Sequence, residues 1–131
     1  MQVKPDHIFI IIGHEGERIV NHLKSFSGIH YVKQSPLLGT GHAVQQLIPY
    51  LNDFEGDLLV LNGDVPLLEE STIKKLIATH QEKTSDVTFL TAKKKDPKGY
   101  GRVFASQNGT VEKIIEDKDC NTEESKNNLI N

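Results

Sequence analysis

The chain has one cysteine, Cys120, in 131 residues. No internal disulfide can form, and the expectation is a reducing compartment, the cytoplasm. No apolar run approaches the ~18–20 residues of a membrane-spanning helix, so no membrane association is expected. Residues Met1 to Asp6 lack the apolar stretch of a secretory signal. A basic excess is also missing: the formal net charge is −3, which argues against a nucleic-acid partner. With 37% hydrophobic and 25% charged residues, neither apolar poverty nor strong charge points to disorder. The six histidines (His7, His14, His22, His30, His42 and His80) show no metal-ligand spacing. Internal repeats, low-complexity segments, a Gly-x-Ser-x-Gly elbow and a Walker loop are all absent. What remains is a soluble chain of single-domain length, expected to fold as one domain over residues 1–131.

The apolar residues are grouped in short runs. His7–Gly13 and Asp57–Asn62 are continuous and rich in aliphatic residues, so they predict strands buried on both faces, as in a parallel sheet. Glu15–Phe26 places Ile19, Val20, Leu23 and Phe26 at helical spacing, and Gly28 closes that helix. His30–Gln34 predicts a strand. A loop over 35–41 then leads into a helix from Thr40 or Gly41 to Ile48. Glu69–His80 predicts an amphipathic helix with Glu70 or Ser71 in its cap region, and Asp86–Ala92 a further strand. This β-α-β-α-β-α-β order implies an α/β fold with a parallel sheet. Near the C-terminus, Asn108-Gly109 between Gly101–Ala105 and Thr110–Glu116 signals a β-hairpin. The polar residues after Lys118 predict a loop or a loose helix.

Ligands of open α/β sheets bind at the carboxyl ends of the strands, and three features fall there. Gln34 with Leu38-Gly39-Thr40-Gly41-His42 is a strand end entering a helix through glycines, suited to a base or phosphate and equally readable as an ordinary turn. Asn62-Gly63-Asp64 puts a carboxylate after an apolar run, suited to Mg²⁺ beside phosphates or to a plain turn aspartate. Gly99-Tyr100-Gly101-Arg102 with Glu116 across the hairpin could admit a sugar ring, or be a bulge beside a solvated glutamate. Cys120 has no neighbouring base, and Lys93-Lys94-Lys95 reads as a solvated strand end.

Taken in order, Gln34-x-x-x-Leu38-Gly39-Thr40-Gly41-His42-Ala43, Leu61-Asn62-Gly63-Asp64-Val65-Pro66-Leu67, Asp96-Pro97-Lys98-Gly99-Tyr100-Gly101-Arg102-Val103 and Ile115-Glu116-Asp117-Lys118-Asp119 are distinctive. The series resembles the uridylyltransferase domain of the bacterial bifunctional N-acetylglucosamine-1-phosphate uridylyltransferases, from about His7 to Asn131. The resemblance implies a Rossmann-like nucleotide-diphospho-sugar transferase fold. It also implies a reaction of UTP with N-acetylglucosamine 1-phosphate that yields UDP-N-acetylglucosamine and pyrophosphate. By position, Gln34, Gly39 and Thr40 match uracil-reading residues. Asp64 matches the Mg²⁺ ligand and catalytic carboxylate, and Asn62 and Gly63 match adjoining contacts. Gly101, Glu116 and Asn131 match contacts to the N-acetylglucosamine unit. The family often has an aromatic residue at the position of Asn62.

This chain starts at what corresponds to the family's second strand. The family's Leu-x-x-Gly-x-Gly-Thr-Arg-Met loop and the Pro-Lys pair that wrap the triphosphate are not in it. Nor is a downstream metal-binding asparagine, nor the hexapeptide repeats of the acetyltransferase half. The resemblance therefore implies a partial nucleotidyltransferase domain, truncated at the N-terminus, with impaired turnover. The family's first strand lies between those matching Ile8–Ile12 and Leu58–Leu61, so a homo-oligomer or re-paired sheet is expected. Two other readings stand beside the enzyme: a non-catalytic sugar-nucleotide-binding remnant, and a structural module that completes its sheet with another chain.

Overall fold

The isoleucine-rich run near the start of the chain forms strand β1, Ile8–Ile12, in a computed structural model that describes residues 3–131. The chain divides into two units, Met1–Asn62 and Gly63–Asn131. In the first, β1 pairs in parallel with β2, Ile29–Lys33, from Ile8↔Ile29 to Ile12↔Lys33. The bond from Gln34 N–H to Ile12 O (2.9 Å) carries the ladder one residue further. Helix α1, Gly16–Leu23, makes the crossover. Its first residue sits so close to the strand that a Cβ on Gly16 would lie 2.9 Å from Ile12 Cβ, which only glycine avoids. Helix α2, Thr40–Gln45, runs into a 3₁₀ turn at Ile48–Tyr50. Val32 and Leu47 are the buried apolar side chains of this unit, and the Phe9 ring packs 5.7 Å from that of Tyr50.

The second unit begins with α3, Glu70–Lys83. Its N-cap is Glu69, and Ser71 lies inside the helix with its hydroxyl donating to Glu69 Oε2 (3.1 Å). Four strands follow: β3 (Ala92–Lys93), β4 (Arg102–Ala105), β5 (Val111–Ile115) and β6 (Leu129–Ile130). They form an antiparallel sheet in the order β3-β6-β4-β5, with Arg102, Val103 and Ile130 buried. The hairpin forms at the expected place with a different turn. Gly109 has φ +85° whereas Asn108 does not enter the left-handed region. Ser106 N–H donates to Thr110 O, and the register shifts by one residue after Phe104. That is a three-residue loop closed by a glycine bulge.

The α/β class holds, but the mostly parallel sheet is confined to β1 and β2. Strands β4 and β5 are joined by too short a link for a parallel crossover, so their pairing is antiparallel. Two expected strands are corrected. Residues 57–62 form no strand: nothing in either sheet pairs with Leu58–Leu61, and these side chains are 37–53% exposed. Of Asp86–Ala92 only Ala92 belongs to a strand. Aliphatic composition creates the tendency, but a strand exists only where a neighbour supplies backbone partners. The tail after Lys118, read as a loop or a loose helix, follows on from a 3₁₀ turn at Asp117–Asp119 and contains a second at Glu124–Lys126, before the unexpected β6.

Candidate functional site

In the second unit, Arg102 pairs with Ile115 on β5 and with Ile130 on β6. One step along the same antiparallel register lie Gly101, Glu116 and Asn131. Residues opposite one another on adjacent strands point to the same face. Three residues far apart in sequence thus form one row across three strands. Gly101 is buried, and a Cβ there would overlap the Asn131 side-chain oxygen, so the asparagine amide lies over bare backbone. Glu116 and Asn131 are exposed on either side. A carboxylate acceptor and an amide with both donor and acceptor, flanking a residue without a side chain, suit a ring bearing several hydroxyls.

A clamp lies beside this row. Arg102, 2% exposed, donates through Nη2 to Asp117 Oδ1 at 2.7 Å and through Nη1 to Tyr100 O. Asp117 Oδ2 accepts from Gly99 N–H at 2.9 Å. The Gly99 N–H and the Arg102 guanidinium hold the Asp117 carboxyl below its usual value, against partial desolvation. On the other side, Lys94 Nζ stands 3.9 Å over the Tyr100 ring. The last turns are tied back as well: Asn127 Nδ2 donates to Val103 O at 2.8 Å, and Lys113 pairs with Glu124 at 2.7 Å. That ammonium and the Asn121 N–H lower the Glu124 carboxyl.

In the first unit, Gln34 follows β2 and reaches the loop after it. Its Nε2 donates to Gly39 O at 2.9 Å and lies 3.1 Å from His42 Nδ1. A carbonyl only accepts, so the amide nitrogen must face Gly39, and Oε1 is left as an acceptor with no partner among the described residues. Gly39 has φ +95° with open space where a Cβ would stand, and Thr40 beside it is exposed. Because α2 has only six residues, the loop rather than a developed helix terminus is what this region offers a ligand.

Asn62, Gly63 and Asp64 are exposed, the last two in a turn. Magnesium, which the family resemblance implies, is usually held by one or two carboxylates plus phosphate and water oxygens. Asp64 supplies one carboxylate and fits that mode. Among the described residues no group of three or more His, Cys, Asp or Glu could form a protein cage for a metal.

The structure therefore brings together Gly101, Glu116 and Asn131 in one unit, and Gln34 and Gly39 in the other. Sequence reasoning did not find the Arg102–Asp117 clamp or the contact of His42 with Gln34. Oppositely charged residues fifteen positions apart carry no local signal, though the spacing of Gln34 and His42 across a glycine loop hinted at the second.

The nucleotidyl transferase family profile matches residues 1–123. The chain is 53% identical over 129 residues to the bifunctional protein GlmU of Prochlorococcus marinus (strain MIT 9211), covering 98% of this chain and 28% of the relative. It is 52% identical to GlmU of Synechococcus sp. (strain CC9605), over 98% of this chain and 29% of the relative. For GlmU of Rippkaea orientalis (strain PCC 8801 / RF-1) the identity is 47%, over 98% of this chain and 28% of the relative. The chain thus spans less than a third of the length of these curated relatives. With nearly all its residues matched by one family profile, the chain belongs to the nucleotidyl transferases.

Proposed function

We propose that the chain carries the base-reading and sugar-reading residues of a nucleotidyl transfer in which UTP and N-acetylglucosamine 1-phosphate yield UDP-N-acetylglucosamine and pyrophosphate. A sugar-phosphate oxygen bonds to the α-phosphorus of UTP, and the bond to the departing pyrophosphate breaks. The observation that carries this reading is the row of Gly101, Glu116 and Asn131. Glu116 accepts from sugar hydroxyls, Asn131 meets the N-acetyl group or a hydroxyl, and bare Gly101 lets the ring approach the sheet. Gln34 Oε1 accepts from the imide N–H of uracil, a choice its own bonds to Gly39 and His42 leave open. Gly39 and Thr40 offer backbone to the base, and Asn62 and Gly63 offer polar contacts next to Asp64. Magnesium held at Asp64 would neutralise phosphate oxygens as charge gathers on them.

Pyrophosphate release coupled to a colour reaction tests this. UTP-dependent release, abolished by Asp64→Asn, establishes a competent transferase. Binding of UDP-N-acetylglucosamine in calorimetry without release identifies a remnant that recognises the sugar nucleotide. Absence of both rejects the reading.

One further observation favours self-association. Leu58–Leu61 is apolar and exposed, and β1 is paired to a described strand on one side only. Such segments are completed by a strand from elsewhere, here a second copy. Light scattering after size exclusion should give a mass above 14.7 kDa. A monomer at all concentrations rejects it.

A further inference from the structure

Building on the sugar-recognition role of the Gly101–Glu116–Asn131 row, we propose that the Arg102–Asp117 ion pair is its positioning device, holding Glu116 and the glycine backbone at the separation a sugar requires. Glu116 lies just outside the regular ladder. Its neighbour Ile115 makes the last β4–β5 pair, and the chain then turns into the 3₁₀ segment Asp117–Asp119. Nothing in the β-ladder fixes where the Glu116 carboxylate stands relative to Gly101. The clamp does.

Asp117 grips residue 99 through its N–H (2.9 Å) and residue 102 through its guanidinium (2.7 Å). The same guanidinium holds Tyr100 O. The backbone on both sides of Gly101 is therefore tied to the residue that follows Glu116. Gly99 has φ +84°, which aims its N–H at the carboxylate at no steric cost. The pair is also poorly replaceable. Arg102 is buried and its Nε has no partner among the described residues, so Asp117 is the carboxylate it holds. Removing that counter-charge leaves a buried cation that must move, and Tyr100 O moves with it. Asp117 and Arg102 need not touch a sugar themselves. They act through Glu116 and Gly101.

Isothermal titration of the chain with UDP-N-acetylglucosamine and with UDP separates the claims. Wild-type protein that fails to bind UDP-N-acetylglucosamine more tightly than UDP overturns the sugar-site reading, and the positioning role with it. Given wild-type discrimination, Asp117→Ala should weaken UDP-N-acetylglucosamine about 10-fold and UDP under about twofold. In a Glu116→Gln background, the same substitution should change sugar-nucleotide binding by under about twofold, because the carboxylate it positions is gone. Equal losses for both ligands, or equal losses in both backgrounds, overturn the positioning role. Should Asp117→Ala not fold, Asp117→Asn carries the same test. It keeps an acceptor for Gly99 N–H and loses the charge facing Arg102, so a loss of about 3-fold, again confined to the sugar nucleotide, is expected.

Discussion

The two units solve the same problem, how to satisfy an extended backbone, in opposite ways. In Gly63–Asn131 the strands pair antiparallel, β6 returns from the polar tail to join β3 and β4, and β4 lies between β5 and β6 with Val103 1% exposed. In Met1–Asn62, two parallel strands pair with each other, and the apolar segment Leu58–Leu61 pairs with neither. The parallel pair needs a crossover, here α1, and gains no third strand among the described residues, whereas β6 completes the antiparallel sheet from beyond two 3₁₀ turns. The same contrast extends to the candidate site. The row proposed for sugar recognition continues the register of Arg102 on both sides, with Glu116 just beyond the β4–β5 ladder, whereas the Gln34–Gly39 contact rests on a side-chain bond to a loop.

Substitutions can break this comparison in order of effect. Val103→Ala removes two methyl groups from a sealed position and should cost about 2 kcal/mol in a denaturant titration. A loss as small as that of a surface variant would show that the antiparallel unit is not the better packed. Gly101→Ala should leave stability nearly unchanged, because a side-chain amide can yield, while displacing Asn131 and weakening UDP-N-acetylglucosamine about 10-fold. Unchanged binding would remove the row from recognition.

Acidification sharpens the contrast from another side. Asp117 and Glu124 both have lowered carboxyl pKa values in the folded unit. Such groups add stability above the unfolded carboxylate range, about pH 4, and lose it as pH falls through their folded values. Thermal melts should therefore decline below about pH 4, and less steeply when Asp117→Asn and Glu124→Gln are combined. An identical slope in the double variant would contradict both pairings. The smallest effect is expected at Val60, 53% exposed. Val60→Ala should change stability by under about 0.5 kcal/mol at concentrations too low for self-association, and an equally small change in the self-associated protein would mean that a second copy does not cover this segment.

Elements with a strong local pattern were legible in the sequence. The run at Ile8–Ile12, the helical spacing before Gly28 and the amphipathic stretch into α3 each encode their own periodicity. The hairpin was legible through Asn108-Gly109, although its bulged turn was not. Strand β6 was hidden because Leu129 and Ile130 are two apolar residues in a polar tail, and pairing with β3 and β4 makes them a strand. Leu58–Leu61 is the reverse case, where strand composition is present and a partner strand among the described residues is not. Gly101, Glu116 and Asn131 were recognisable as separate motif residues. Their alignment in one row was not, because register is a property of paired strands.

By itself the sequence determined the α/β class and the family, and it singled out the side chains proposed to meet a base, a metal ion or a sugar. These depend on composition and local order along the chain. Tertiary structure alone decided which apolar runs became strands, that Gly101 lies beneath Asn131, and that a buried arginine fifteen residues from an aspartate ties the turn beside Glu116. Those outcomes depend on strand register and on backbone partners and opposite charges brought together from separate segments, which no short stretch of residues encodes.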